Sequence, residues 1–377
     1  MKAASLTVAL VVGSCCTLLA CGEHRTSTFT WSLPPGFPVP AVPADNPMTN
    51  EKVQLGRRLF YDGRLSGNET QSCASCHKQE LAFSDGMPAA TGSTGQMTPR
   101  GSMALVNVAY NGTQTWANPA LLLLEQQIPI PIFGERPVEL GATGNEPQIL
   151  ARYMADVSYP RQFAQAFPDD PAPVSFANIT KALAAFLRTL ISGNSAFDRY
   201  TYQNDKTAMS ASALRGLELF FTERLECFHC HGGFNFSSST TQADAAFTER
   251  AFHNNGLYNI GGAGSYPPGN RGVFEITGVR EDMGKFRAPT LRNIALTAPY
   301  MHDGSLATLD DVLDFYAAGG RVIESGPLAG DGRANPFKSR FVPGFVLTTE
   351  ERADLMAFLQ SLTDTSFVQN PSFAKPL

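Results

Sequence analysis

The residues that decide the fold are C-A-S-C-H at 73–77 and C-F-H-C-H at 227–231. Both match C-x-x-C-H, the signature of covalently attached c-type haem. Two residues between the cysteines let both sulfurs reach the vinyl groups of one porphyrin, and the next residue places an imidazole under the iron. A redox pair or half of a zinc site is the alternative for one such motif, but two copies favour haem. A disulfide within each pair would leave the repeated histidine unexplained.

The sequence around the two motifs is also duplicated. Residues 55–60 read LGRRLF and residues 215–220 read RGLELF, sharing G-x-x-L-F on a predicted amphipathic helix. Further helices are predicted over 178–197 with Asn178 as N-cap, over 309–317 and over 349–362, with long ordered loops over 237–282. The expected fold is mainly α with long ordered loops and two cytochrome c-like haem domains.

Length and composition fit such an arrangement. The 377 residues suffice for two domains of about 100 to 200 residues each. A net charge of -5 gives no broad basic field, which argues against a nucleic-acid binder. We predict a signal peptide at 1–21, a Pro-rich arm at 22–46, a first haem domain at 47–200 and a second at 201–377.

The N-terminus is typical of an exported protein. Met1 and Lys2 precede an apolar stretch from about 6 to 20, too short for a stable membrane span. Residues 18–22 read LLACG and resemble a lipobox, which would make Cys21 a lipidated N-terminus; plain signal cleavage is the open alternative. The sequence therefore predicts a periplasmic protein, with an outer-membrane lipid anchor as one option.

The chain resembles the bacterial di-haem cytochrome c peroxidase and MauG family over most of its mature length. The segments that carry the resemblance are LGRRLFYDGRLS (55–66), CASCH (73–77), FLRTLISGNSAFDRY (186–200), CFHCH (227–231) and FRAPTLRNIALTAPYMHDGSL (286–306). The resemblance implies a peroxide-reactive haem in the first module and an electron-transfer haem in the second. The predicted cofactors are thus two covalent c-type haems, with His77 as an iron ligand of the first and His231 of the second.

The resemblance also implies a distal pocket at the first haem. Residues 137–141, PVELG, match the family element that supplies the acid/base, so Glu139 is assigned that role. The run LEQQIPIP resembles the segment that contributes a glutamine and a proline, which gives Gln127 and Pro131. Gln126 remains an alternative to Gln127, because the distance to Glu139 is about two residues longer than the family's usual spacing.

Several residues are implied to lie between or beside the haems. Trp116 falls where the family places a tryptophan between the haems, as an electron relay or a packed core residue. His302 matches an element near both haems, with a redox role or a role in holding the loop backbone. Arg292 is a candidate haem-propionate partner. The family's calcium ion would take the backbone carbonyls of Thr297 and Pro299, although its asparagine ligand is replaced here by Gly101.

Tyr316 separates the candidate functions. In the scavenging peroxidases a methionine ligates the second haem from the helix after H-D-G, and the same spacing from His302 falls on Tyr316. No methionine occurs between Met301 and Met356. A hard phenolate lowers the haem potential, whereas a thioether raises it. The alternative interpretation of Tyr316 is a packed core aromatic.

The resemblance therefore favours an enzyme that uses hydrogen peroxide to oxidise a tryptophan or tyrosine on a partner protein. The layout resembles the MbnH-type enzymes, for which the partner is a periplasmic copper-binding protein. No histidine lies between Leu81 and Tyr110, so resting-state ligation by a histidine of that loop is excluded. The alternatives are a peroxide-scavenging cytochrome c peroxidase with a cytochrome or cupredoxin donor, and a non-enzymatic electron carrier.

Overall fold

The computed structural model describes residues 29–376, so the predicted signal peptide and lipobox lie outside the described residues. In this range helices and long loops dominate, with two short two-stranded antiparallel sheets, and no helix is long and apolar enough to cross a membrane. The α-helices are α1 (Asn50–Phe60), α2 (Cys73–Cys76), α3 (Leu124–Gln127), α4 (Pro129–Phe133), α5 (Glu146–Met154), α6 (Tyr159–Ala166), α7 (Phe176–Arg188), α8 (Ala196–Tyr202), α9 (Ala211–Phe220), α10 (Phe274–Thr277), α11 (Leu309–Ala317), α12 (Thr349–Ser361) and α13 (Thr365–Val368). The strands are β1 (Phe252–His253), paired with β2 (Phe286–Arg287), and β3 (Val322–Ile323), paired with β4 (Gly330–Asp331). Short 3₁₀ turns span Gly63–Leu65, Gln79–Leu81, Val108–Tyr110, Cys227–His229, Arg280–Asp282, Ile294–Leu296 and Gly332–Ala334.

Two crossed helix pairs repeat the same contact. Helix α1 packs on α7, and α9 packs on α12. A Cβ built on Gly56 would overlap the carbonyl of Ala182, and one built on Gly216 would overlap the carbonyl of Asp354. The glycine of each G-x-x-L-F segment therefore allows two helix backbones to touch. The duplication seen in the sequence is thus a duplicated helix crossing.

Most predicted helices are present, and one differs. Helix α11 covers the predicted range, and α12 ends one residue earlier than expected. The segment predicted as one helix over 178–197 is two, because α7 ends at Arg188 and α8 begins at Ala196. Asn178 is not the N-cap: Ser175 caps α7 by accepting from the Asn178 backbone N–H at 3.3 Å. The turn between the helices is fixed by side chains from elsewhere in the chain.

Two asparagines hold these turns, and sequence analysis did not identify them. Asn107 and Asn293 are fully buried and have left-handed backbone φ angles of 55° and 58°. The Asn107 N–H donates to the Leu190 carbonyl after α7 at 2.9 Å, and the Asn293 N–H donates to the Leu362 carbonyl after α12 at 3.0 Å. Both side chains also bond Ser192, at 2.7 and 2.8 Å. The duplicated modules therefore meet at Ser192.

The buried apolar side chains form separate clusters in the two halves of the chain. One cluster runs from Leu55 to Leu190, and another from Phe197 to Leu362. The C-terminal tail, which lies in the range predicted for the second haem domain, packs on the first cluster through Phe367 and Phe373. The ring centroids of Phe367 and Phe83 are 5.7 Å apart. Phe367 therefore buries its ring in the first core.

The described part of the N-terminal arm crosses the boundary between the clusters. Phe37 is buried, with its ring 5.2 Å from the Phe234 ring and 4.7 Å from the Arg292 guanidinium. The carbonyl of the next residue, Pro38, accepts a hydrogen bond from the Tyr110 hydroxyl at 2.8 Å. The arm therefore fastens the two halves of the molecule to each other.

Candidate active site

The histidines of the two motifs are oriented in the same way. The His77 Nδ1 lies 2.8 Å from the Phe83 carbonyl, and the His231 Nδ1 lies 3.2 Å from the Phe236 carbonyl. A metal-bound histidine commonly donates its other ring N–H to such a carbonyl. Burial lowers the pKa of both imidazoles, that of His231 to about 4, so each is neutral at pH 7. This orientation of the two rings fits the predicted iron ligation through Nε2.

The four motif cysteines form no disulfide with one another. Burial raises the pKa of Cys73 and of Cys227 to about 12, so both remain protonated at pH 7. Cys73 and Cys76 lie on one turn of α2, and Cys227 and Cys230 lie on a 3₁₀ turn and its end. Two thiols and a neutral imidazole on each turn are the donor set of a c-type haem. The residues present therefore fit two covalent haems.

A large cavity lies against the second motif. Its empty volume, including the space at its open mouth, is about 1950 Å³. Cys227, Cys230, His231 and Tyr316 line it, and it extends to Trp116 and His302. Such a space beside the attachment cysteines is suited to a porphyrin, whose flat apolar ring needs apolar walls.

Tyr316 enters this cavity from α11. Burial raises the pKa of its phenol above the ordinary range, while the Asn255 amide, within hydrogen-bonding reach of the hydroxyl, acts in the opposite direction. Asn255 also donates to the Met301 sulfur at 3.4 Å. The structure thus places Tyr316 in the same cavity as His231, with Asn255 and Met301 beside it. Sequence analysis did not single out Asn255.

Glu139 and Pro131 lie on neighbouring segments near the first motif. The N–H of Leu140, next to Glu139, donates to the Pro131 carbonyl at 2.9 Å. Burial raises the pKa of Glu139. The pKa of Cys76 is raised to about 11, mainly by burial, with further contributions from the charges of Asp85 and Glu139. The predicted acid/base is therefore a partly buried carboxyl group close to the first attachment site.

The two candidate glutamines have different surroundings. The Gln126 carbonyl oxygen accepts from the backbone N–H groups of Leu122 and Leu123 at 2.8 and 3.0 Å, and its side chain caps α3 at the surface. The Gln127 side-chain oxygen is buried without a hydrogen-bond partner among the described residues. An unpartnered buried amide oxygen is costly unless a ligand completes its bonding. This difference supports Gln127.

Trp116 and His302 lie where the two halves meet. The Trp116 indole N–H donates to the Gly101 carbonyl at 3.0 Å, and the Gly101 N–H donates to the His302 carbonyl at 2.9 Å. The His302 ring stacks on Phe286 with centroids 3.7 Å apart and planes at 12°. Burial lowers the pKa of His302, and its Nε2 has no hydrogen-bond partner among residues 29–376.

Arg292 and the predicted calcium ligands also border the cavity. The Arg292 guanidinium bonds both carboxylate oxygens of Asp198 at 2.9 Å, so its charge is neutralised within the protein. Thr297 and Pro299 line the cavity near Gly101. Arg287, part of the same FRAPTLRN segment, was not singled out from the sequence, yet it is buried in this region.

Comparison with known proteins identifies the family of this chain. The family model described as "Di-haem cytochrome c peroxidase" matches residues 50–207. The methylamine utilization protein MauG of Methylorubrum extorquens is 35% identical over 322 residues, covering 85% of this chain and 80% of the relative. The cytochrome c551 peroxidase of Pseudomonas aeruginosa is 34% identical over 269 residues, covering 71% of this chain and 72% of the relative.

Solved structures give the same result. A crystal structure described as a MauG-like protein associated with microbial copper homeostasis is 52% identical, with a TM-score of 0.90, and covers 92% of this chain and 99% of its own. The diheme peroxidase BthA of Burkholderia thailandensis, at 20% identity and a TM-score of 0.64, shares the fold. The chain therefore belongs to the di-haem cytochrome c peroxidase and MauG family of peroxide-dependent di-haem oxidoreductases.

Proposed function

We propose that this protein is an exported, periplasmic enzyme that reduces hydrogen peroxide at the first haem and takes the electrons, through the second haem, from a tryptophan or tyrosine of a partner protein. The proposal rests on the position of Tyr316, which lines the same cavity as His231 and the second pair of cysteines. In this proposal His231 and Tyr316 would hold the second iron.

Bound haem supplies iron that can cleave the O–O bond of peroxide and store oxidising equivalents. The protein residues supply the proton transfers. Glu139, as a carboxylate, would take a proton from one peroxide oxygen and return it to the other, departing oxygen. The Gln127 amide and the Pro131 segment shape the pocket around the peroxide. Each peroxide consumes two electrons and two protons and leaves as two waters.

We propose that the electrons pass from the second haem to the first through residues at the junction of the two halves. Trp116 lies at the junction of the two halves, with its indole N–H bonded to the Gly101 carbonyl. We assign it as the electron relay. His302, stacked on Phe286, keeps this junction packed and connects to the same Gly101 through its carbonyl. A calcium ion at the carbonyls of Thr297 and Pro299 is part of the proposal.

The proposed substrate is a copper-binding periplasmic protein. The support is the relative with 52% identity, which is described as associated with microbial copper homeostasis. A small exported metal-binding protein encoded by a neighbouring gene is the substrate to test. Mass spectrometry after incubation with the diferric enzyme and peroxide should show an oxidised tryptophan or tyrosine. A matched reaction with the Glu139→Gln enzyme should leave it unmodified, and an unmodified partner in both reactions would reject this substrate.

Peroxide scavenging with a cytochrome or cupredoxin donor is the second candidate. Met301 favours it, because this thioether lines the same cavity as Tyr316 and lies 3.4 Å from Asn255. A Met301-ligated second haem would have a raised potential suited to accepting electrons from such a donor. The two candidates predict different ligands and therefore different spectra.

A further inference from the structure

Arg287 is a deeply buried arginine with neutral hydrogen-bond partners. It is 3% exposed. Its Nε donates to the Thr115 carbonyl at 3.2 Å, Nη1 to the Asn111 side-chain oxygen at 3.3 Å, and Nη2 to the Met103 sulfur at 3.5 Å. Among residues 29–376, no carboxylate oxygen lies within ion-pair distance of this guanidinium. Within residues 29–376, the buried charge of Arg287 therefore has no anionic partner.

Such an arrangement is unfavourable unless an anion completes it. Removing a guanidinium from water is costly, and neutral acceptors recover only part of that cost. Two nearby arginines, by contrast, are each paired with a carboxylate of the chain. Arg292 is paired with Asp198 at 2.9 Å, and Arg100 is paired with Glu275 at 2.5 Å. A bound anionic group would supply the counter-ion that Arg287 lacks within residues 29–376.

The position of Arg287 indicates which group this is. Arg287 borders the same cavity as Cys227, Cys230 and His231. Two residues further on, Pro289 lines this cavity together with His231. A c-type haem attached through its vinyl groups presents its two propionates at the opposite porphyrin edge. We propose that Arg287 binds a propionate of the second haem.

This ion pair would connect the second haem to the predicted relay. The Arg287 N–H donates to the Trp116 carbonyl at 2.8 Å, and its side chain bonds the preceding residue, Thr115. A propionate held by Arg287 therefore fixes the haem relative to the Trp116 backbone. Arg287 is a positioning residue in this account. The inference rests on the proposed haem at Cys227 and Cys230, and it is independent of the identity of the protein substrate.

The test is a spectroelectrochemical titration of the purified holoenzyme at pH 7. Loss of a cation beside a haem favours ferric iron, so Arg287→Gln should lower the potential of the second haem, which ligation by His231 and Tyr316 would make low-spin. At a fixed potential, the ratio of ferrous to ferric low-spin haem should fall at least fivefold. Arg287→Lys, which keeps the positive charge, should lower this ratio of ferrous to ferric haem by less. The matched control is Arg100→Gln, which removes a neighbouring arginine that already has a carboxylate partner and should leave the ratio within twofold.

An unchanged ratio in Arg287→Gln, or an equal fall in Arg100→Gln, would overturn the assignment. If Arg287→Gln does not accumulate, Arg287→Lys is tested instead by resonance Raman spectroscopy. The propionate bending band of this variant should shift relative to the band of the unaltered enzyme. An unshifted band would overturn the proposal. The proposed function is read separately, from whether the unaltered diferric enzyme reacts with peroxide. Failure of the Arg287–propionate assignment can therefore be distinguished from failure of the proposed function.

Discussion

At the scale of single residues, burial determines the acid–base chemistry beside the first haem motif. Glu139 has a raised pKa because its carboxyl group is partly removed from water. A raised pKa brings a carboxylic acid closer to the working pH, where it can both accept and return a proton. The side-chain oxygen of Gln127 is buried with no hydrogen-bond partner among the described residues, as expected for a group that bonds to a ligand in the pocket.

Glu139→Gln should slow peroxide cleavage by about 10² to 10⁴-fold, because the amide cannot take the proton. Because the carboxylate is the active form, the rate in the unaltered enzyme should fall as the pH drops through the raised pKa of Glu139. That acid limb should be absent from the variant. Stopped-flow mixing with peroxide from pH 4 to 8 measures both effects. Haem content should be unchanged, and a variant with full peroxide reactivity would refute the assignment.

At the scale of elements, two glycine contacts join the helix pairs. Gly216 on α9 lies against the Asp354 carbonyl of α12. An alanine at Gly216 would force the helices apart, and overpacking of this kind costs about 1–3 kcal/mol. Gly216→Ala should therefore lower the free energy of unfolding by about that amount, measured by denaturant titration.

The control for this prediction is Glu218→Ala, an exposed position on the same helix. It should change the free energy of unfolding by less than about 0.5 kcal/mol. A Gly216→Ala protein as stable as the control would show that the close crossing of α9 and α12 is not required.

Elements with local signals could be predicted from the sequence. Helix α11 begins where Thr308 accepts from the Asp311 N–H, a capping pattern that is readable in the sequence. The end of α7 could not be predicted, because the Asn107 side chain holds the following turn from 85 positions away. The unpaired state of Arg287 was equally hidden, since the sequence does not show which carboxylates fold towards it. The haem motifs were predictable because their chemistry is confined to five residues.

At the scale of the whole molecule, the duplicated modules should hold one haem each. The pyridine haemochrome assay should give two covalent haems per chain. A Cys227→Ala/Cys230→Ala enzyme should retain about one, because the first motif is complete without the second. A value near one for the unaltered protein would contradict the two-haem assignment, and so would an unchanged value in the double variant.

In the proposed function, His231 and Tyr316 ligate the second iron and make the diferric enzyme competent to react with peroxide. Electron paramagnetic resonance of the diferric protein tests it most directly, comparing the unaltered enzyme with Tyr316→Phe. We predict one high-spin and one low-spin haem in the unaltered enzyme, with peroxide reacting without prior reduction. In Tyr316→Phe the low-spin signal should change. An unchanged low-spin signal, or reaction with peroxide only after one-electron reduction, would contradict the account and favour the cytochrome c peroxidase alternative.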